Sequence, residues 1–492
     1  MSHIALRCTR CATLHAADMR TLRCRDCEAL LEVEYSGGPL GPQPDGWQGP
    51  DIPLPMHDRD TVVSLGEGNT PCVRLDSLGR SLGLSKLYAK LEFVNPTGSF
   101  KDRGTAVMMS IAREQGIKEI VEDSSGNAGA STAAYAARAG IRAHVFAPAS
   151  APGPKIRQIA VYGAEVHSID GPREAAAEAA VRFYTDRGLV YASHNLSPYY
   201  VEGTKTFAYE LSRQLPEVAR GHVVVPVGNG SLYVGAWRGF DELRRAGHMA
   251  DVPRLHCVQA TAAMPIAAAY SGEEWSPAPG AATVAGGISA IDPARKGMVL
   301  DVLRATGGTA LAMEDRDILR WHRLLAEKEG IYAEPTSAAA FAGLEELVRR
   351  GEIGAADLVV VLLNQNLCDC FMEYGEVTAE MAMLLAFVLF GTVLSGILGS
   401  VDIVPALVLA GLVIFVIRPS VLAGVLARAR MSWRAHAFVG WFGPRGLNSL
   451  LLALLVVHAG VPGAELLQAT VGVVVLASVA IHGASAGPVA VW

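Results

Sequence analysis

Lys101 stands in the stretch Asn95–Gly104, NPTGSFKDRG, where the turn-rich steps Asn95-Pro96 and Thr97-Gly98 end the apolar run Lys86–Val94. A helix-compatible stretch follows, so the lysine falls at a loop-to-helix junction, where free backbone N–H groups favour anions. Taken alone, such an amine is equally a surface charge or a reactive group. Two further loops supply parts that a phosphorylated aldehyde cofactor needs. Ser124–Ser131, SSGNAGAS, follows the apolar pair Ile120-Val121, and Gly228–Leu232, GNGSL, follows the strand-like run His222–Val227. The second loop can offer several N–H groups to a phosphate without any lysine.

A separate constellation lies at the N-terminus. Cys8-x2-Cys11 and Cys24-x2-Cys27 are separated by twelve residues. Two such pairs can set four thiolates on facing knuckles, matching tetrahedral zinc. Disulfides and incidental cysteines are the alternatives, and no secretion signal is expected at this cysteine- and charge-bearing N-terminus, which disfavours disulfides. Four cysteines leave no open coordination position, so the zinc would be structural. Cys72, Cys257, Cys368 and Cys370 show no comparable arrangement.

The elements that must position these groups alternate. Apolar runs at Leu87–Val94, Ala143–Ala147, Val166–Ile169, His222–Val227, Leu255–Val258 and Asp357–Leu363 predict strands. Alanine-rich stretches at Ala130–Ala139, Glu174–Tyr184 and Ser337–Val348 predict helices. That alternation implies an α/β fold with parallel sheets, whose ligands sit beyond the strand C-termini, where both loops fall. The Gly-, Pro- and Asp-rich residues 36–60 predict a linker.

In order and spacing, SFKD, SSGNAG and GNGS resemble the motifs of fold-type II pyridoxal-phosphate enzymes, and within them threonine synthase, over roughly residues 60–370. The resemblance implies a fold with two parallel-sheet subdomains, with Lys101 forming the Schiff base to pyridoxal 5'-phosphate. It places Asn127 on the cofactor ring oxygen and Gly228, Asn229, Gly230, Ser231 and Leu232 around the phosphate. Ser231 stands where the family commonly has a further glycine. Ser124 and Ser125 are candidates for the substrate carboxylate or simply for a turn. Ala192–Lys205, ASHNLSPYYVEGTK, resembles the family's SxNPYRxEGxK and marks Asn195 as a substrate contact, with Tyr200 in place of an arginine. Lys155 and Arg157 are compensating cations or a solvated helix start. Glu334–Ser337 matches the family's EPxSA. At Leu362–Asp369, LLNQNLCD, Leu363 takes the position of a family threonine that faces the pyridine nitrogen, and Asn364 and Asn366 take those of two glycines.

At 492 residues, two or more domains are expected, and a net charge of -6 gives no reason to expect a nucleic-acid partner. Residues 381–492 hold only seven Asp, Glu, Lys or Arg. Uncharged runs predict four membrane crossings, at about 381–400, 403–420, 435–459 and 465–483. Arg428, Arg430 and Arg434 put loop 418–434 in the cytoplasm, and the enzyme domain with it. Glu376–Trp492, with Arg418-Pro419 and FVGWFGPRGL, resembles the last four helices of cation/proton antiporters. Arg445 there would be an ionisable group at membrane depth or near an interface. The ion-binding carboxylates of that family lie on earlier helices, so transport would need partner subunits.

The expected organisation is a zinc ribbon at 1–35, the linker at 36–60, a pyridoxal-phosphate catalytic domain at 61–375 and a membrane segment at 376–492. The expected function is conversion of O-phosphohomoserine and water to threonine and phosphate. The alternatives are another pyridoxal-phosphate-dependent β- or γ-elimination or replacement of an amino acid, dehydratase-like or cysteate-synthase-like, or an inactive cofactor-binding domain fused to a partial antiporter module and serving a transporter. Family members are usually homodimers; the lipid bilayer is the other expected partner.

Overall fold

In the computed structural model, which describes residues 3–36, 54–151, 153–278, 280–364, parts of 381–399, 401–426, 441 and 447–490, the chain forms two compact units, Met1–Cys370 and Phe371–Trp492. The first unit opens with an antiparallel sheet of β1 (His3–Cys8), β2 (Leu14–Ala16) and β3 (Leu31–Ser36), in the order β2-β1-β3. A large sheet follows, from β4 (Cys72–Arg74) and β5 (Lys86–Leu91), and a small one from β6 (Glu119–Glu122), β7 (Arg142–Pro148), β8 (Glu165–Ile169) and β9 (Val190–Tyr191). The chain then returns to the large sheet through β10 (His222–Pro226), β11 (Arg254–Ala260), β12 (Ala310–Met313) and β13 (Leu358–Leu363). The orders are β12-β11-β10-β13-β5-β4 and β8-β7-β6-β9.

Both sheets are parallel except at β4, which pairs antiparallel with β5. The short connection through α1 (Asp76–Leu82) reverses the chain, whereas a parallel crossover usually needs a dozen residues or more. Every residue of β13, LVVVLL, is buried, as expected of a strand covered on both faces. β5 ends earlier than predicted: Glu92–Val94 is a 3-10 turn. That turn brings the Glu92 carboxylate onto the Arg103 guanidinium, which donates to it through Nε and Nη2 at 2.7 Å each.

The covering helices are α2 (Lys101–Glu114), α3 (Asn127–Ala139), α4 (Gly153–Val161), α5 (Arg173–Arg187), α6 (Pro198–Thr204), α7 (Thr206–Gln214), α8 (Ser231–Arg245), α9 (Pro265–Ser271), α10 (Lys296–Thr306), α11 (Asp315–Glu329) and α12 (Pro335–Arg349). Glycines set how closely α6 lies on α2. A Cβ on Gly203 would stand 2.0 Å from the Arg103 carbonyl oxygen, and one on Gly104 would stand 2.7 Å from the Tyr200 ring. Any larger residue would push α6 away from the helix that begins with Lys101.

In the second unit, Ile403–Leu422 and Ala464–His482 are long and apolar enough to cross a membrane. They coincide with the second and fourth predicted crossings. Half of the first and much of the third lie outside the described residues, as do Gly443, Pro444 and Arg445. The turn Val413–Ile417 widens to π-helix just before Arg418-Pro419, where the proline lacks the N–H that an α-helical ladder requires. Arg418 donates to the Trp441 carbonyl at 3.3 Å, and Nε2 of His482 lies 2.9 Å from the same oxygen.

Candidate active site

Five loops meet the site from the C-terminal ends of parallel strands, the position where α/β sheets hold ligands. The loop after β5 carries Lys101, and the loop after β6 carries Ser124 to Asn127. Those after β9, β10 and β13 carry His194-Asn195, Gly228–Ser231 and Asn364.

Lys101 is half-buried at the first position of α2, with its Nζ 4.7 Å from the centre of the Phe100 ring. Burial pulls its ammonium down to about 8, although Glu122 and Glu334 pull the other way. About a tenth of the amine is therefore uncharged at pH 7, far more than for an ordinary lysine. The rate at which apo-protein takes up pyridoxal phosphate should rise about tenfold per pH unit below that value and level off above it. Stopped-flow absorbance against pH would measure this, and a profile still rising steeply at pH 10 would contradict it.

Asn364 fills a role that no glycine could. Its Oδ1 accepts the Phe100 N–H at 3.0 Å, its backbone oxygen accepts the Glu334 N–H at 3.0 Å, and its own N–H donates to Ser337 Oγ at 2.7 Å. It thus ties the lysine loop to the EPTS turn. Leu363 is fully buried in the apolar core with Val361 and Phe341. Asn366, the other substituted glycine position, lies outside the described residues.

Asn127 is the middle of a polar chain. Lys155 Nζ donates to its Oδ1 at 2.8 Å, and its Nδ2 reaches Glu334 Oε2 at 3.4 Å. Lys155 is buried, its ammonium drawn inward by the amide, whereas Arg157 is exposed as the solvated reading of that helix start has it. Ser124 Oγ accepts the Gly126 N–H at 3.3 Å, and Ser125 is half-buried on the same turn. A Cβ on Gly129 would lie 1.9 Å from the Ser124 carbonyl oxygen, so this turn requires glycine there.

Gly228, Asn229 and Gly230 lead into the N-terminus of α8, whose first N–H groups lack intrahelical acceptors. Gly230 has φ +89, and a Cβ there would meet Val299 at 2.7 Å; one on Gly228 would meet the Gly287 oxygen at 2.8 Å. The loop is a cradle that side chains would fill. Ser231 Oγ donates to the His194 carbonyl at 3.1 Å, while the Leu232 side chain packs in the core, leaving only its backbone for a ligand. Beneath the loop, Arg295 is fully buried, with Nε 3.4 Å from Ser231 Oγ and Nη2 donating to the Ser197 oxygen at 3.2 Å. Among the described residues it has no carboxylate partner within 4.0 Å.

Sequence reasoning missed Arg295 and also the group formed by Glu122, Asp123 and His194. Glu122 Oε1 lies 3.0 Å from His194 Nδ1. Burial pushes Glu122 up to about 7, and burial together with the Lys101 charge pushes His194 well below its ordinary value. Glu122 Oε2, Asp123 Oδ1, Asn195 Oδ1 and the Tyr200 hydroxyl are buried with no protein hydrogen-bond partner. The available signal was an acidic pair ending a strand just before SSGN.

The four N-terminal cysteines converge. Sγ separations are 3.4 Å for Cys8–Cys27 and 3.5 Å for Cys11–Cys24 and Cys11–Cys27. These are far beyond a disulfide bond, and the four thiols are free. Backbone N–H groups of Arg10 and Cys11 point at Cys8 Sγ, at 3.3 and 3.4 Å.

A family model described as pyridoxal-phosphate dependent enzyme matches residues 63–364, and the chain belongs to that family. The cradle and the buried polar atoms without protein partners fit its cofactor. Among curated proteins, threonine synthase of Methanocaldococcus jannaschii is 35% identical over 370 residues, covering 72% of this chain and 90% of that protein. Threonine synthase of Methanosarcina acetivorans is 35% identical over 374 residues, covering 74% and 91%. The chain is accordingly a pyridoxal-phosphate-dependent lyase. Maize serine racemase shares the fold at TM-score 0.54 and 22% identity, covering 64% of this chain and 94% of that one. A threonine deaminase of Solanum lycopersicum does so at TM-score 0.54 and 22% identity, covering 63% and 82%. Residues 366–492 match a second model, described as sodium/hydrogen exchanger, transmembrane.

Proposed function

We propose that the chain carries out a threonine-synthase-like reaction on O-phosphohomoserine. The Cγ–O bond breaks to release phosphate, water adds its oxygen at Cβ, Cγ takes up a proton, and threonine results. The observation that carries this reading is the convergence of Lys101, the Lys155–Asn127–Glu334 chain and the GNGS turn at the strand ends. Identity of 35% to threonine synthases supports it. When bound, pyridoxal phosphate supplies an electron sink for bond-breaking at the substrate α-carbon.

In this reading Lys101 holds the cofactor and moves protons. Gly228, Asn229, Gly230, Ser231 and Leu232 offer backbone N–H groups to its phosphate, and Asn127 faces its ring. Ser124 and Ser125 receive the substrate carboxylate, and Lys155 and Asn195 face the rest of the substrate. Arg173, exposed at the start of α5, adds positive potential felt at Lys101, Asp123 and His194. It provides a cation near an anionic leaving group, where Tyr200 has replaced an arginine.

A second reading is β-elimination from a hydroxy-amino acid to a 2-oxo acid and ammonia. Tyr200 and the acidic Glu122-Asp123 pair favour it, since none of these brings positive charge to a phosphate. The test is detergent-purified full chain loaded with pyridoxal phosphate. Matched phosphate and threonine from O-phosphohomoserine support the first reading. Ammonia and 2-oxo acid from serine or threonine, without phosphate release, replace it with the second. Neither product would sink both.

We also infer a structural Zn2+ on Cys8, Cys11, Cys24 and Cys27, supported by four thiols in mutual contact. The domain limits 1–35, 36–60, 61–375 and 376–492 go with it. Four crossings, with the enzyme unit on the cytoplasmic side, follow from the charge pattern and from the exchanger match at 366–492. Homodimerisation and association with transporter subunits complete the proposal.

A further inference from the structure

We propose that His144, Glu165 and His167 form a second zinc site, at the far end of the small sheet from Lys101. His144 Nδ1 lies 3.3 Å from His167 Nε2 and 3.4 Å from Glu165 Oε2, and His167 Nε2 lies 3.5 Å from Glu165 Oε1. A tetrahedral zinc with bonds of 2.0–2.1 Å to nitrogen and oxygen separates its ligands by about 3.3–3.4 Å. The two ring nitrogens therefore stand at the separation of neighbouring ligands in such a site, with a Glu165 oxygen close to each. All lie within 4.8 Å of one another.

The strand register brings them there. His144 is the Cα partner of Glu165 and Phe146 of His167, so alternation puts all four side chains on one face of β7 and β8. Aromatic packing fixes the rings. Phe146 stacks on His167 at 4.3 Å between centroids, and Phe183 of α5 lies 4.9 Å from His144 and 5.0 Å from His167. On the other side of its ring, His144 Nε2 lies 3.3 Å from Glu119 Oε2. A proton on Nε2 shared with that carboxylate leaves the Nδ1 lone pair free for a metal, the arrangement found behind metal-binding histidines.

An ordinary hydrogen-bonded cluster fits less well. A single N–H between the two ring nitrogens serves that pair but not the carboxylate beside them, whereas a cation in their midst serves all three groups. The Glu165 side chain is 59% exposed, so an ion can enter, and the fourth position is open to water. Glu119 and Glu165 begin their strands, whereas the loops around Lys101 follow strand ends. The ion would fasten edge strand β8 onto β7 and take no part in the reaction.

The test uses the full chain in detergent, stripped with chelator and dialysed against Zn2+. Glu165→Gln and His167→Gln should each lose one equivalent of zinc relative to the native chain. Cobalt replacing that ion should lack the sulfur charge-transfer bands of a thiolate site. Hydrogen exchange over Glu165–Ile169 should slow on adding Zn2+ to the native chain, but not to Glu165→Gln, a comparison that needs no destabilising variant. Equal zinc content in all three proteins, or exchange in the native chain indifferent to Zn2+, would overturn the site and leave a hydrogen-bonded cluster.

Discussion

Replacing Lys101 by alanine should lower product formation by at least about 10^3-fold, the range a positioned proton-transfer group commands, and abolish the visible absorbance of the lysine-bound cofactor. The unfolding temperature should scarcely move. Among the described residues Lys101 makes no ion pair within 4.0 Å, and burial already disfavours its charge. Removing it relieves desolvation while leaving α2 intact. Lys101→Arg separates the possible roles: it keeps a cation but has no amine able to shed its proton. If the site needed only positive charge there, arginine would preserve most of the activity. Activity of Lys101→Ala within tenfold of the native chain would remove the lysine from the chemistry altogether.

Arg103→Met should destabilise the first unit by about 3–5 kcal/mol, the cost of stranding buried charges. Arg103 is fully buried and donates to Glu92 Oε2 at 2.7 Å and Glu210 Oε2 at 2.9 Å, while Lys90 Nζ also pairs with Glu210. Burial pushes Glu210 up, but Arg103 and Lys90 outweigh it and hold the carboxyl at about 2. Glu92 is lowered for the same reason. Because the folded values lie below the unfolded 4.5, this stabilisation is fully present above pH 4.5 and is lost as pH falls toward 2. The variant should therefore unfold at a higher pH on acid titration than the native chain. Amide exchange across β5 and α2 reports the loss locally, which suits a chain of two units better than a single melting curve. Arg103→Lys keeps the charge without the two-armed donor and should fall in between. A change below about 1 kcal/mol would mean that the network is hydrated and screened.

The network and the chemistry share an element, since Arg103 lies two residues beyond Lys101 on α2. Glu92 and Glu210 reach it from the 3-10 turn after β5 and from α7, and Lys90 on β5 pairs with Glu210. Lys101 thus stands on a helix pinned by buried charge and by the close approach of Gly203 to the Arg103 carbonyl. A site on such a support loses little geometry to loop motion.

How much of this was legible beforehand follows from the range of each interaction. Local signals sufficed for strands and helices, because apolar runs and alanine-rich stretches act over a few residues. They sufficed too for the three loops, whose glycines and lysine carry their reason in their own backbone and side-chain type, and for the two apolar helices of the second unit. Leu363 and Asn364 are, by residue type alone, only departures from the family's threonine and glycine. Only the folded chain lets Asn364 bond the Phe100 N–H from 264 positions away. Arg295, the Glu122–His194 contact and the cluster of His144, Glu165 and His167 were invisible in the same way. Their residues are ordinary in type and spacing, and they become chemical groups only when strand register and helix packing bring them within hydrogen-bond reach. The sequence by itself determined the fold class and the places of Lys101 and the GNGS turn beyond the strand ends. Tertiary structure decided which buried charges surround them, because a charge's surroundings depend on what packs against it and not on its neighbours in the chain.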